Sequence, residues 1–114
     1  MQNSYDVATI VMSTRKLRGM TDELFDWDLG NLAHIGEHDV EPGEAEEAIL
    51  GEPLDVGYDV VNGEERWSFL GETEKGRILR VVITMRGELI RVLTAFEPSR
   101  YHKNLYLERK AGLR

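Results

Sequence analysis

Arg66, Arg77 and Arg91 fall in three different segments of a 114-residue chain, and each of those segments reads as a β-strand. In neighbouring strands, side chains of matching parity project from one face of the sheet. Arg77 and Arg91 could then converge, with Arg66 nearby. A guanidinium presents a rigid fork of donors that suits phosphate oxygens. Its fixed charge can also stabilise a phosphorane-like transition state. The same three residues could equally serve solubility or pair with carboxylates, and spacing alone leaves both readings open.

The histidines are His34, His38 and His102. His34 and His38 stand four apart, which places them on one helix face at the spacing of a zinc pair. Ile35 occupies the position where a zincin helix carries Glu, and only Glu37 and Asp39 are at hand as further donors. A zinc site needs three or four ligands, so no metal and no cofactor is expected, and both histidines read as helix residues. The chain has no cysteine, which removes disulfides, thiolate metal sites and thiol nucleophiles. It also lacks a Gly-x-Ser-x-Gly elbow and a phosphate loop.

The net charge of −7 conceals a division along the chain. Residues 1–20 are net positive. Residues 21–65 hold fifteen acids and no Lys or Arg, and residues 66–114 are again net positive. The C-terminal half could therefore present a basic surface to nucleic acid despite the overall sign. No apolar run is long enough to span a membrane, and Met1 to Met20 lacks the pattern of a signal peptide. A cytoplasmic protein is expected.

Residues 1–22 read as an N-terminal extension, with a short element near Ala8–Met12, and residues 23–110 as a single domain. Phe25 to Asp28 alternates like a short strand, and Asp28 suits the N-cap of a helix over Leu29–His38. Leu32, Ile35 and His38 would share its inner face, with Asn31 and His34 one step aside. Pro42 opens a second helix, Gly43 to Leu50, that turns Ala45, Ala48 and Ile49 inward. Four strand signals follow, over Asp55–Val61, Glu65–Glu72, Arg77–Met85 and Leu89–Phe96. Asn62-Gly63 is a strong hairpin signal between the first two. Arg100 to Lys110 reads as a terminal helix. The expected fold is α+β: an antiparallel sheet of about four strands, with two N-terminal helices and a C-terminal helix covering one face.

Phe25-Asp26-Trp27-Asp28, Asn31, His34, Glu37-His38-Asp39-Val40 and Glu44-Ala45-Glu46-Glu47 together resemble the opening of the BrnT family of ribonuclease toxins. Glu64-Glu65-Arg66-Trp67, Leu70-Gly71-Glu72-Thr73, Gly76-Arg77-Ile78-Leu79 and Ile90-Arg91-Val92-Leu93-Thr94-Ala95 resemble its later segments, in the same order. The resemblance implies a fold similar to the RelE-type ribonucleases. It also implies RNA cleavage that arrests translation, and an antitoxin partner of ribbon-helix-helix type. Carried onto this chain, the site would use Arg66, Arg77 and Arg91, with His38 or Glu65 as acid–base groups for transesterification at the RNA 2′-OH. The chain departs from the pattern at Asp39, where glycine is usual, and at Phe96, where arginine follows alanine. The spacing from Trp27 to His38 is one residue shorter, and the helix between them lacks its usual lysines. A second reading therefore stands beside the first: a non-catalytic relative that binds a protein partner. A homo-oligomer is compatible with either.

Overall fold

The structure, a computed structural model, describes residues 24–112, so the expected extension over residues 1–22 lies outside the described residues. The elements are α1 (Leu29–Gly36), α2 (Pro42–Leu50), β1 (Leu54–Val61), β2 (Glu64–Glu72), β3 (Ile78–Arg86), β4 (Leu89–Phe96) and α3 (Arg100–Gly112). The chain is α+β, as its patterning predicts.

Asp28 caps α1 as expected. Its carboxylate accepts from the Asn31 amide at 3.1 Å, and the Asn31 side chain accepts from the Asp28 amide at 2.7 Å. This reciprocal pair satisfies two amides that a helix start leaves unpaired. Before the cap, the expected Phe25–Asp28 strand is reduced to one parallel bridge, Phe25 beside Ile90. Two backbone bonds of 2.9 Å hold it, from Asp26 to Ile90 and from Ile90 to Leu24. In α2, Pro42 occupies the first turn and Ala45, Ala48, Ile49 and Leu50 are buried.

The four strands form an antiparallel meander in the order β1-β2-β3-β4. Asn62 and Gly63 both hold positive φ, 52° and 80°, the conformation that a two-residue hairpin requires. Trp67 pairs with Ile83, and Val81 with Ala95. Strand alternation puts Trp67, Phe69, Leu79, Val81, Ile83, Ile90, Val92 and Ala95 in one buried cluster with Ile35, Ala45, Ala48 and Ile49 of the first two helices. Burying one such aliphatic side chain is worth roughly 1.5–3 kcal/mol.

The opposite face carries Arg66, Ser68 and Leu70 from β2, and Arg80, Val82, Thr84 and Arg86 from β3. A bulge in β4 then shifts the register, so that Val82 pairs with Thr94 but Ile83 with Val92. The extra residue brings Arg91 and Thr94, three apart in sequence, onto this same face. All three helices were expected on one face, but α3 meets the other. Tyr106 of α3 donates to Glu72 at 3.3 Å, and both Tyr106 and Leu70 are buried outside the main cluster. Glu72 and Leu70 have the parity opposite to Trp67 and Phe69, which decides the side.

Candidate functional site

Two of the expected arginines come together on the sheet face away from the main core. Arg91 pairs with Thr84 across β3 and β4. Arg66 lies one step beyond the Trp67–Ile83 rung of β2 and β3, on the other side of Thr84. Thr84 is buried between them and donates to the Glu65 carbonyl at 2.7 Å. With strands about 4.8 Å apart, the two arginine backbones are separated by roughly 10 Å, a span one phosphodiester group can bridge through two long side chains.

Each of these guanidiniums is already met by a carboxylate. Nη1 of Arg91 lies 3.0 Å from Asp28 and 3.4 Å from Asp26, and its Nη2 lies 3.3 Å from the second Asp28 oxygen. Arg86 reaches the same Asp26 oxygen at 3.7 Å. Nε and Nη2 of Arg66 both contact Glu64 at 2.9 Å. The Arg91 side chain is 13% exposed, whereas that of Arg66 is 38% exposed. The hydrogen bond from Arg91, followed by that from the Asn31 amide, holds the Asp28 carboxyl below its ordinary range. Reciprocally, Asp28 raises the pKa of Arg91. The set is balanced: Asp26, Asp28 and Glu64 offset Arg66, Arg86 and Arg91. Arg80 adds a charge on the same face, and its Nε is buried without a hydrogen-bond partner among the described residues.

His34 of α1 and His38 of the turn that follows it border this face along the edge of β4. Nε2 of His34 lies 3.1 Å from the Thr94 hydroxyl. The His38 ring stands edge-on to His34 at 5.4 Å between centroids and 5.7 Å from the ring of Phe96. Thr94 pairs with Val82, two residues from Thr84, so the imidazole–hydroxyl contact sits roughly 7 Å along the strand from the Arg91 rung.

Arg77 and Glu65 lie elsewhere. Arg77 precedes β3 at the far end of the sheet, about 23 Å from the Thr84 rung by strand rise. It ties three segments together there: Nη1 donates to the Asp39 carbonyl at 2.8 Å and to Glu44 at 2.9 Å, and Nε donates to Glu97 at 2.8 Å. Glu65 has the parity of Trp67, away from Arg66, and accepts from the Tyr58 hydroxyl at 2.8 Å. The convergence of Arg77 with Arg91 that parity suggested is not what this geometry brings together. Arg77 has the parity of Leu79 and Val81, on the core side, whereas Arg91 pairs with Thr84 on the other, so the two differ in face as well as in height.

Sequence reasoning passed over Arg80, Thr84 and Arg86, although Arg80, Val82, Thr84 and Arg86 alternate along one strand and share the parity of the site. It also set Asn31 and His34 aside as off-face residues. Asn31 is 5% exposed. Among the described residues, no group of three His, Asp or Glu side chains is placed to hold a metal ion, and no helix is long and apolar enough to cross a membrane.

These features define a class: a small α+β domain whose four-stranded antiparallel sheet packs two helices on its core side and shows arginines, threonines and an imidazole on the other. The family model described as ribonuclease toxin, BrnT, of type II toxin–antitoxin system matches residues 27–101, and the chain belongs to that family. The match runs from the residue before the α1 cap to the first turn of α3. No curated protein matches the chain.

Proposed function

We propose that the chain is the RNA-cleaving toxin of a toxin–antitoxin pair and that RNA phosphates dock on the sheet face of Arg66, Arg80 and Arg91. One observation carries this reading: Arg66 and Arg91 flank Thr84 on the same face that His34 reaches through Thr94. Cleavage by transesterification needs a base to take the 2′-OH proton and positive charge at the dianionic phosphorus. It also needs an acid to protonate the leaving 5′ oxygen. The 2′ oxygen bonds to phosphorus as the bond to the 5′ oxygen breaks, leaving a 2′,3′-cyclic phosphate and a 5′-hydroxyl. An imidazole suits either proton transfer, and His38 and His34 are the two beside the arginines. Arg66 and Arg91 supply the charge, with Asp26, Asp28 and Glu64 exchanged for phosphate oxygens as RNA docks. Arg77 serves the site by fixing the turn that carries His38. Glu65 acts through its backbone, whose carbonyl holds Thr84. The family brings an antitoxin partner, for which a small ribbon-helix-helix protein is expected, and an RNA substrate places the work in the cytoplasm.

The test is cleavage of a single-stranded RNA oligonucleotide by the purified protein, scored by cyclic-phosphate ends. Arg91→Ala is expected to lower the rate by about 10²–10³, the usual loss when one charge-stabilising donor is removed. A second reading has its own support, because among the described residues Arg66, Arg86 and Arg91 are each met by a neighbouring carboxylate. A balanced surface steers RNA poorly and suits a non-catalytic protein-binding relative. Uncut RNA, together with normal growth on induced expression, would decide for that second reading.

A further inference from the structure

Asn31 uses its polar atoms on two neighbouring stretches of chain, Asp26–Asp28 and β4. Its Oδ1 accepts from the Asp28 amide at 2.7 Å, and its own amide donates to Asp28 Oδ1 at 3.1 Å. Its Nδ2 donates twice, to the Asp26 carbonyl at 3.0 Å and to the Val92 carbonyl at 3.2 Å. Both donors of that amide are therefore spent, and the Val92 bond is buried. Two of these contacts fix the backbone of Asp26 and Asp28, the two residues whose carboxylates hold Arg91, and a third holds the Asp28 carboxylate itself. The fourth fixes Val92, which follows Arg91 in β4. A cap needs only the two Asp28 contacts. The bonds from Nδ2 go beyond helix capping and tie the carboxylate-bearing strap to the strand that bears the arginine.

We infer that Asn31 is a positioning residue for Arg91: it sets the strap at the height where Asp26 and Asp28 clamp the guanidinium on the sheet face. A side chain with four rotatable bonds is ordered there before any phosphate arrives, so the ordering entropy is spent in folding and not in binding. Asn31 itself acts through the strap and is not placed to touch RNA. The inference rests on the proposed role of Arg91, and its test keeps the two apart.

Asn31→Asp retains the acceptor for the Asp28 amide and loses both Nδ2 donors. Asn31→Ser loses them without adding charge, and it serves if the aspartate variant misfolds. The first readout is the Arg91 guanidinium, assigned by its loss in Arg91→Lys. In the native protein, hindered rotation about the Nε–Cζ bond should give separate Nη1 and Nη2 nitrogen signals. In the Asn31 variants these should merge while the backbone amide spectrum keeps its native dispersion. The second readout is RNA cleavage. Asn31→Asp should slow it by about tenfold alone and by nothing further in an Arg91→Ala background, because a residue acting through Arg91 has no effect once Arg91 is gone. Losses that multiply in the double variant, or Nη signals that stay separate in both Asn31 variants, overturn the inference. If the native protein cuts no RNA, the proposed function fails, and the Nη signals still decide the role of Asn31.

Discussion

The amide of Val40 donates to the carbonyl of Ile35 at 3.1 Å, across a turn in which Asp39 holds φ at 59°. Asp39 itself donates to Gly36 at 3.0 Å. These two bonds are those of a helix stop closed by a left-handed residue, with Val40 buried beyond it. The position normally takes glycine, because a Cβ there crowds the neighbouring carbonyl at a cost of roughly 1–2 kcal/mol, which aspartate softens. Asp39→Gly should therefore stabilise the fold by about 0.5–1 kcal/mol, after the extra freedom glycine gives the unfolded chain is subtracted. The bond from Arg77 survives, since it goes to the backbone carbonyl. Urea denaturation of the two proteins measures the difference; a less stable glycine variant would show that the Asp39 side chain contributes more than its conformation costs.

Acid should destabilise the protein through three carboxylates. Glu44 is held below its ordinary 4.5 by the Glu41 amide and then by Arg77, and Glu97 by Arg77 and Lys103. Asp28 is held below 3.8 by Arg91 and the Asn31 amide. Each group binds its proton less readily folded than unfolded. The stability this contributes is complete above the ordinary values and is lost as pH falls through the lowered ones. Melting temperature should drop steeply below about pH 4.5, the upper of those ordinary values. Arg77→Ala should flatten that drop, because Glu97 and Glu44 then titrate closer to their unfolded values. The same variant should lose about 1 kcal/mol at neutral pH, a modest figure because the partners are partly exposed. An equally steep acid limb in Arg77→Ala would assign the effect to other groups.

Local chemistry was legible in the sequence where a few adjacent residues decide it. Asp28 had to cap, Pro42 had to open a helix, and Asn62-Gly63 had to turn a hairpin; all three do. Neither the faces nor the heights of the arginines were legible, because both depend on pairing between strands that the chain joins only after folding. The β4 bulge is the clearest case. Arg91 and Thr94 are of opposite parity in sequence, and only the shift between the Val82 and Ile83 rungs puts them on one face. The burial of Asn31 was hidden for a related reason. Helical periodicity marks apolar faces, whereas Asn31 is buried by the backbone groups it satisfies. The side taken by α3 was equally hidden, since Tyr106 is a single buried anchor on an otherwise polar helix.

Gly71 in β2 is a packing requirement and not a turn residue. A Cβ built on it would fall inside contact distance of the Ala48 carbonyl oxygen, carbonyl carbon and Cα. These are backbone atoms of α2 that cannot rotate aside, so the helix would have to lift from the sheet. Gly71→Ala should cost about 3 kcal/mol, the upper end for added bulk in a packed core. Gly57→Ala is the matched control, because its Cβ would meet only the Ser68 side chain at 3.8 Å. Chemical denaturation should separate the two variants clearly; similar midpoints would mean that α2 sits less tightly on β2 than this geometry requires.

Alkali should destabilise the protein through Tyr106. The residue is 3% exposed, and burial, with Glu72 and then Glu52 nearby, pushes its phenol up to about 12 from 10.0. Below pH 10 the phenol is neutral in both states. Between the two values the unfolded chain releases the proton first, so a raised folded pKa means stability that is lost as pH rises. Tyr106→Phe keeps the ring that packs on the sheet and removes the titrating group. At pH 8 it should melt slightly lower, by the loss of one long hydrogen bond to Glu72 worth at most about 1 kcal/mol. At pH 11 that deficit should vanish or reverse, because only the native protein is then deprotonated preferentially on unfolding. Lysines also titrate in this range, but they do so in both proteins, and the difference between the two melting curves isolates Tyr106. A deficit unchanged from pH 8 to pH 11 would show that the phenol ionises as easily folded as unfolded, and that α3 lifts away to let it do so.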